Sequence, residues 1–375
     1  DKKVVKSIIQ LFYRPWLENI TFRFQELCKQ DASFITSREI AKECESYVLF
    51  VDAFRYELAE AFCQVLLKYG YKVNLQVKWA SIPTLTPTSK PNVSPIASLV
   101  STQSGITEFR PQLQNGKDLI TSVFRDTLAS VDFKYVTSDS DITSDEKYWH
   151  EIGDIDTKGH EEQADVVKRI DELFEQVHEI IDTIFEKGIK RIKIVTDHGW
   201  LLLPGGLPKT ELNAGLTETR WGRCALIKEG AQTDLLHLPW RWNPDIYIAY
   251  APGISFFKAN QEYAHGGLSV HECLVPTIIV ENINIKNITA EIKLVHWVNL
   301  KCSVETTELP EGYLVDIRTK YNDSKTSIVL SKSKSVKENA ISLMVDDSAE
   351  NQAATIVLMD ENERILDKKP TTVGG

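Results

Sequence analysis

Asp197 and His198 close the apolar run IKIVT and are followed by Gly199, which lets the backbone turn sharply. A carboxylate beside an imidazole at a strand end is a candidate half-site for a transition metal, since ligands bind beyond the carboxyl ends of strands in open α/β sheets. Taken alone, the pair reads equally well as a turn cap. Asp52 ends a second apolar run, SYVLFV, and by itself reads more readily as a helix N-cap. Asp156 and His160 stand four apart in DIDTKGH, so a loop or one helical turn can aim both at one ion, with Asp154 as a spare carboxylate nearby. His265 precedes Gly266 and Gly267, a pair that permits close approach of backbone and ligand.

Hydroxyls come next. Thr84, Thr86 and Thr88 lie in SIPTLTPTSKP, ahead of a helix expected through Ile96–Val100. A hydroxyl there is either a cap or a nucleophile at the positive end of a helix dipole. Arg220 and Arg223, in TRWGR, are candidates for phosphate oxygens, or else surface arginines beside an aromatic. His178, His237 and His271 have no partner pattern and read as structural, His178 alternatively as solvent-facing.

Periodicity predicts the secondary structure around these groups. Residues 1–45 read as helical, with Val4, Ile8, Leu11 and Phe12 on one face and a short turn opening at Ser37. A strand over 46–51, a helix over 54–69 ended by Gly70 and a strand over 73–79 form a unit of the βαβ kind. The three prolines of the threonine-rich stretch read as breakers. A helix over 119–128 and a strand over 133–136 lead to an exposed polar loop, SDSDITSDE. One long amphipathic helix is expected over 161–187. Residues 201–244 read as irregular, of the kind that binds substrate or forms a lid. A strand over 245–250, a short helix over 268–273 and a strand over 277–280 complete the core. From about residue 288 only short β patterns remain, about seven, separated by polar turns as at Pro310. They suggest an Ig-like β-sandwich.

Bulk properties narrow the function. The chain has 375 residues, 42% hydrophobic and 26% charged, as in an ordinary soluble globular protein of one to three domains. No apolar run approaches a membrane span and no signal-peptide pattern opens the chain, so a cytoplasmic protein without a membrane partner is expected. The start at Asp1, without Met and in a helical pattern, suggests an excised fragment. Cys28, Cys44, Cys63, Cys224, Cys273 and Cys302 lack any CxxC spacing, which argues against a thiolate zinc site and fits reduced thiols. A net charge of −10 disfavours broad clamping of a polyanion but is compatible with a phosphate ester held locally by cations.

In order and local sequence, FVDAFRYE, IPTLTPTSKP, DTKGH, VTDHGW and AHGGLSVHE resemble the alkaline phosphatase superfamily of two-metal phosphoester hydrolases. More closely they are similar to the PglZ family, associated with bacterial BREX phage defence. The resemblance spans roughly residues 46–282. It implies an α/β fold with an alkaline-phosphatase-like core sheet flanked by helices. The domains would be a helical segment (1–45), a metallohydrolase domain (46–284) and a sandwich-like β domain (285–375). It implies that Asp52, Asp197 and His198 hold one divalent ion, and Asp156, His160 and His265 the other, with Zn²⁺ expected and Mn²⁺ possible in the same shell. Thr86 would be the nucleophile, matched by counting from Pro83, with Thr84 the alternative after a two-residue slip. Arg223 would contact substrate. The implied activity is a phosphodiesterase or nuclease acting on nucleic acid or oligonucleotides beside other defence subunits. The alternatives are a phosphomonoesterase on a small molecule or phosphoprotein, and a non-catalytic scaffold.

Overall fold

A computed structural model describes residues 2–36, 45–106, 108–138, 142–212, 217–258, 261–282, 290–307, 309, 312–331, 334–337, 339–360 and 363–374. The turn expected at Ser37, Cys44, the turn at Pro310 and the boundary at 284/285 lie outside the described residues. The chain divides into two compact units, residues 1–63 with 73–281, and residues 64–72 with 282–375.

In chain order the helices are α1 (Lys2–Gln30), α2 (Ser33–Thr36), α3 (Tyr56–Lys68), α4 (Thr86–Val93), α5 (Thr121–Ser130), α6 (Ile155–Glu162), α7 (Ile170–Glu186) and α8 (Val270–Cys273). The strands up to residue 281 are β1 (Tyr47–Val51), β2 (Lys72–Trp79), β3 (Phe133–Val136), β4 (Lys147–Ile152), β5 (Arg191–Val195), β6 (Leu201–Leu202), β7 (Thr217–Arg220), β8 (Cys224–Ile227), β9 (His237–Trp240), β10 (Asn243–Tyr250), β11 (Tyr263–Ala264) and β12 (Leu274–Glu281).

A six-stranded sheet in the order β2-β12-β5-β1-β4-β3 carries the fold. β3, β4, β1 and β5 run parallel, and β12 returns antiparallel to β5. β1 is YVLFV, β-branched and aromatic and buried along its whole length, as a central strand covered on both faces must be. Its alternate residues Val48 and Phe50 join a core with Phe24, Trp149, Val195 and Leu268. Strand register brings the acidic residues to one edge. Phe50 pairs with Val195, so Asp52 and Asp197 leave the sheet together. Val51 pairs with Ile152, which sends Gly153–Asp156 off the same edge.

Several sequence expectations change here. β2 is not a neighbour of β1 but an edge strand beyond β12 and β5. Its alternation of Lys72, Asn74, Gln76 and Lys78 suits an exposed edge. β4, KYWHEI, was not expected, because Lys147 and Glu151 interrupt an apolar run whose Tyr148, Trp149 and His150 are buried. The stretch read as broken by prolines forms α4, since Pro87 falls in the first turn, where an N–H has no intrahelical partner. The helix expected over 161–187 is interrupted. Gln163 takes a left-handed backbone (φ 55°), ending α6, and a 3₁₀ turn over Gln163–Arg169 leads into α7. A tertiary contact accompanies the break: Gln163 Oε1 accepts the Glu262 and Tyr263 N–H groups at 2.8 and 3.1 Å. Residues 201–244 are more regular than expected, supplying strands to the sheet β7-β8-β10-β9 and to the ribbon β11-β6.

The second unit contains β13 (Ile292–Val298), β14 (Lys301–Thr306), β15 (Leu314–Arg318), β16 (Ala340–Met344), β17 (Ala353–Met359) and β18 (Ile365–Thr372). They form two antiparallel three-stranded sheets, β13-β14-β16 and β15-β17-β18. Trp297, Val304, Val315, Ile317, Leu343 and Ile356 fill the core of this unit. The architecture is thus α/β, a mixed sheet with flanking helices, followed by an all-β unit. Among the described residues, no helix is long and apolar enough to cross a membrane.

Candidate metal centre

Asp52, Asp156, His160, Asp197, His198 and His265 meet beyond the carboxyl edge of β1, β4 and β5, although they come from separate segments of the chain. Asp52 and Asp197 follow β1 and β5 directly. Asp156 and His160 lie on one turn of α6, where Gly159 allows Tyr263 to pack: a Cβ there would stand 2.3 Å from the Tyr263 ring. Gly199 turns the chain after His198 against the backbone of α8, and a Cβ would meet the His271 carbonyl at 2.1 Å.

Two groups of ligand atoms form. In each, all atoms lie within 4.8 Å of one another: Asp52, Asp197 and His198 in one, Asp156, His198 and His265 in the other. The first is the set assigned from the motifs. The second includes His198, while His160 stands at its rim, half-exposed, with Nε2 2.9 Å from His265 Nε2 and 3.7 Å from Asp156 Oδ1. His265 Nε2 is 3.3 Å from Asp156 Oδ1. Ligands of a tetrahedral ion with bonds of about 2.0–2.1 Å are about 3.3 Å apart, so the spacing around Asp156, His160 and His265 fits a divalent ion.

The donor chemistry fits as well. Asp52 Oδ1 and Asp197 Oδ2 are buried and have no hydrogen-bond partner among the described residues. Buried anionic oxygens are normally paired or bound to metal. Asp197 Oδ1 is held by the His198 and Ala53 N–H groups at 3.0 and 3.4 Å, which leaves Oδ2 to face the site. His198 Nδ1 lies 3.0 Å from the Gly199 carbonyl and His265 Nδ1 2.9 Å from that of Thr84. A carbonyl only accepts, so both Nδ1 atoms carry hydrogen and both Nε2 atoms offer lone pairs, the arrangement metal-binding histidines use. The Tyr263 hydroxyl donates to Asp156 Oδ1 at 2.9 Å and fixes that carboxylate.

Three carboxylates crowded beside buried imidazoles set the electrostatics. Burial, and then the charge of Asp197, pushes Asp52 well above the usual carboxylate range, with His198 and, less, Lys90 acting against them. Burial would lower His198, yet Asp197, Asp156 and Asp52 together raise it. Burial lowers His265 to about 4, against the pull of Asp156. Burial also opposes the charge on Asp156, but His265, His198 and His160 outweigh it and lower its pKa.

The threonines separate by role. Thr86 opens α4 and its Oγ1 lies 3.2 Å from His198 Nε2, the imidazole common to both groups. Thr84 is fully buried and bonded to the Gly266–Gly267 turn, and Thr88 Oγ1 donates to the Phe109 carbonyl. Arg223 corrects the sequence expectation. It is fully buried, grips Glu272 with Nε–Oε1 2.9 Å and Nη2–Oε2 3.0 Å, and donates to the Ser255 and Gly253 carbonyls. Its guanidinium is thereby enclosed by protein, and it braces the turn after His265 instead of reaching a phosphate. Arg220 lies in β7, with its side chain outside the described residues. Tyr263 was missed in the sequence, where it passes for a core aromatic; its position two residues before His265 was the available signal.

No family profile matches the chain, and no curated protein matches it. Among solved structures it is similar to murine ectonucleotide pyrophosphatase/phosphodiesterase 5, at 11% identity over 62% of this chain and 88% of that one, with a TM-score of 0.42. An inactive variant of the same protein in complex with AMP aligns at 12% identity over 62% and 88%, with a TM-score of 0.41. The human counterpart aligns at 12% identity over 63% and 87%, with a TM-score of 0.39.

Proposed function

We propose that this chain is a metal-dependent phosphoester hydrolase that uses Thr86 as nucleophile. One observation carries the reading: the Thr86 hydroxyl stands 3.2 Å from the imidazole shared by two adjoining ligand groups. Asp52, Asp197 and His198 would hold one ion, and Asp156, His265 and His160 the other. When bound, such ions supply Lewis-acid stabilisation of phosphoryl oxygens and favour the ionised form of a nearby hydroxyl.

The remaining chemistry belongs to the side chains. Thr86 Oγ1 forms a bond to phosphorus as the bond from phosphorus to the leaving alcohol breaks. The phospho-threonine is then hydrolysed by water, which restores the hydroxyl and releases phosphate or a monoester. The start of α4 presents Oγ1 away from the core, while Thr88 and Ser89 anchor the next turn to the Phe109 and Ser81 carbonyls.

A diester substrate is proposed. The arginine expected to pair with phosphate is enclosed with Glu272, which leaves less cationic charge for the extra negative charge of a monoester. The motif resemblance to the PglZ family supports the finer reading: Zn²⁺, or Mn²⁺ in the same shell, nuclease activity on nucleic acid or oligonucleotides, and work in the cytoplasm beside other subunits of a BREX-type phage-defence assembly. The test is turnover of bis-p-nitrophenyl phosphate against p-nitrophenyl phosphate, with Zn²⁺ or Mn²⁺ and after chelation. Faster diester cleavage that chelator abolishes is expected. Faster monoester cleavage would overturn the diester assignment, and turnover indifferent to chelator would overturn the metal assignment.

A further inference from the structure

Thr84 ties two parts of the centre together. Its carbonyl accepts from His265 Nδ1 at 2.9 Å, and its hydroxyl accepts the Gly266 N–H at 3.0 Å while donating to the Gly267 carbonyl at 3.1 Å. Both roles of the hydroxyl are thus taken by one turn, and that turn carries His265. On its other side the turn meets the Arg223–Glu272 pair, where Glu272 Oε1 accepts the Gly267 N–H at 2.7 Å. There is no space for adjustment: a Cβ on Gly267 would lie 2.4 Å from Arg223 Nε, and Gly266 has φ +98°, which a side chain would strain. Two residues beyond Thr84 stands Thr86. The hydroxyl that faces the metal centre and the imidazole at its far side are therefore fixed to each other through one residue.

We infer that Thr84 is a positioning residue, a clamp that sets His265 Nε2 against Thr86 Oγ1 and so shapes the ion site built on Asp156 and His265. The inference rests on the two-ion reading for its functional meaning, but the clamp itself is testable without any ion. Thr84→Val keeps the shape and removes both hydrogen bonds of the hydroxyl; Thr84→Ser keeps them.

In the ion-free chain, deuterium exchange at the Gly266 amide is expected to quicken by about tenfold or more in Thr84→Val, because that amide loses its acceptor. Calorimetric titration with Zn²⁺ is expected to show one ion bound about tenfold more weakly, at the low end of outer-shell effects, because the turn carrying His265 is loosened while His265 Nδ1 keeps the Thr84 carbonyl. The other ion should hold within about threefold, and Thr84→Ser should restore both readouts. Wild-type exchange at Gly266 in Thr84→Val overturns the clamp. So does parallel weakening of both ions with a lowered Tm that Ser does not rescue, which would mark a core threonine only. A wild-type chain that takes up no Zn²⁺ would overturn the two-ion reading, and the exchange measurement would still decide the clamp.

Discussion

The imidazoles of His198 and His265 are stacked, with centroids 4.2 Å apart and planes 4° from parallel. Each gives its Nδ1 hydrogen to a backbone carbonyl, so the two rings are locked in one tautomer and orientation. Stacked this closely, they cannot both carry charge at low cost. The three carboxylates around His198 favour the proton there, while burial keeps His265 neutral. Divalent ions held by these imidazoles would replace that uneven protonation with positive charge opposite Asp52, Asp156 and Asp197.

Thr86→Ala should lower kcat on bis-p-nitrophenyl phosphate by at least about 10³-fold, the scale of losing a nucleophile. Metal stoichiometry should stay at the wild-type value, since Thr86 contributes a hydroxyl to the centre and no carboxylate or imidazole. Thr86→Ser should keep a measurable fraction of activity. Undiminished kcat in the alanine variant would remove Thr86 from the mechanism.

Asp52→Asn should move stability and metal binding in opposite directions. The folded-state pKa of Asp52 is raised, so its contribution is fully present below the ordinary carboxylate value and lost as pH rises through the raised one. At pH 8 the wild-type chain has therefore lost stability that asparagine, which does not titrate, keeps. Without metal the variant should unfold at the higher temperature, by about 1–3 kcal/mol, and the gap should close towards pH 4. With Zn²⁺ at about a hundred times its Kd, the wild type should gain about 2.7 kcal/mol and overtake the variant. Thermal unfolding with and without chelator reads both; a variant less stable than wild type in chelator contradicts the account.

Much of the centre was legible because each ligand pair is local. Asp197-His198 and Asp156…His160 are fixed by sequence spacing, and a strand end is where such pairs become useful. What linked them was less visible. The division of six ligands into two threes gave no sign that His198 stands in both groups, because sharing depends on how the segments after β4, β5 and β11 meet in space. Arg223 looked available since Glu272, its partner, lies in another motif altogether. β4 escaped notice because charged residues flank its apolar centre, and Gln163 gave no local hint that its side chain would cap β11 and end a helix.

The Arg223–Glu272 pair can be tested by breaking it on one side. Both side chains are fully buried, so Glu272→Gln should cost about 3–5 kcal/mol in urea unfolding, as for other buried pairs left unbalanced. Arg223→Lys should also destabilise, since an ammonium cannot reproduce the two parallel contacts. In the lysine variant KM for bis-p-nitrophenyl phosphate should change by no more than about twofold. A large rise in KM with unaltered stability would return Arg223 to the substrate.

The ion-free chain should lose stability on mild acidification, where His265 and His271 together outweigh the opposite effect of Asp52. Burial lowers both His265 and His271 to about 4 from an ordinary value of 6.5. For His271, Arg55 adds to the effect, and Nδ1 has no hydrogen-bond partner among the described residues. Between pH 6.5 and 4 the unfolded chain binds protons that the folded chain refuses. Their contribution is therefore complete above pH 6.5 and disappears as pH falls towards 4. Each proton contributes a slope of about 1.4 kcal/mol per pH unit at most. His271 lies outside the ligand set, so His271→Gln should reduce the slope by about one proton and leave Zn²⁺ binding at about pH 7.5 intact. Urea unfolding from about pH 4.5 to 6.5 measures the difference, and equal slopes in the two chains would show that His271 is protonated in the fold.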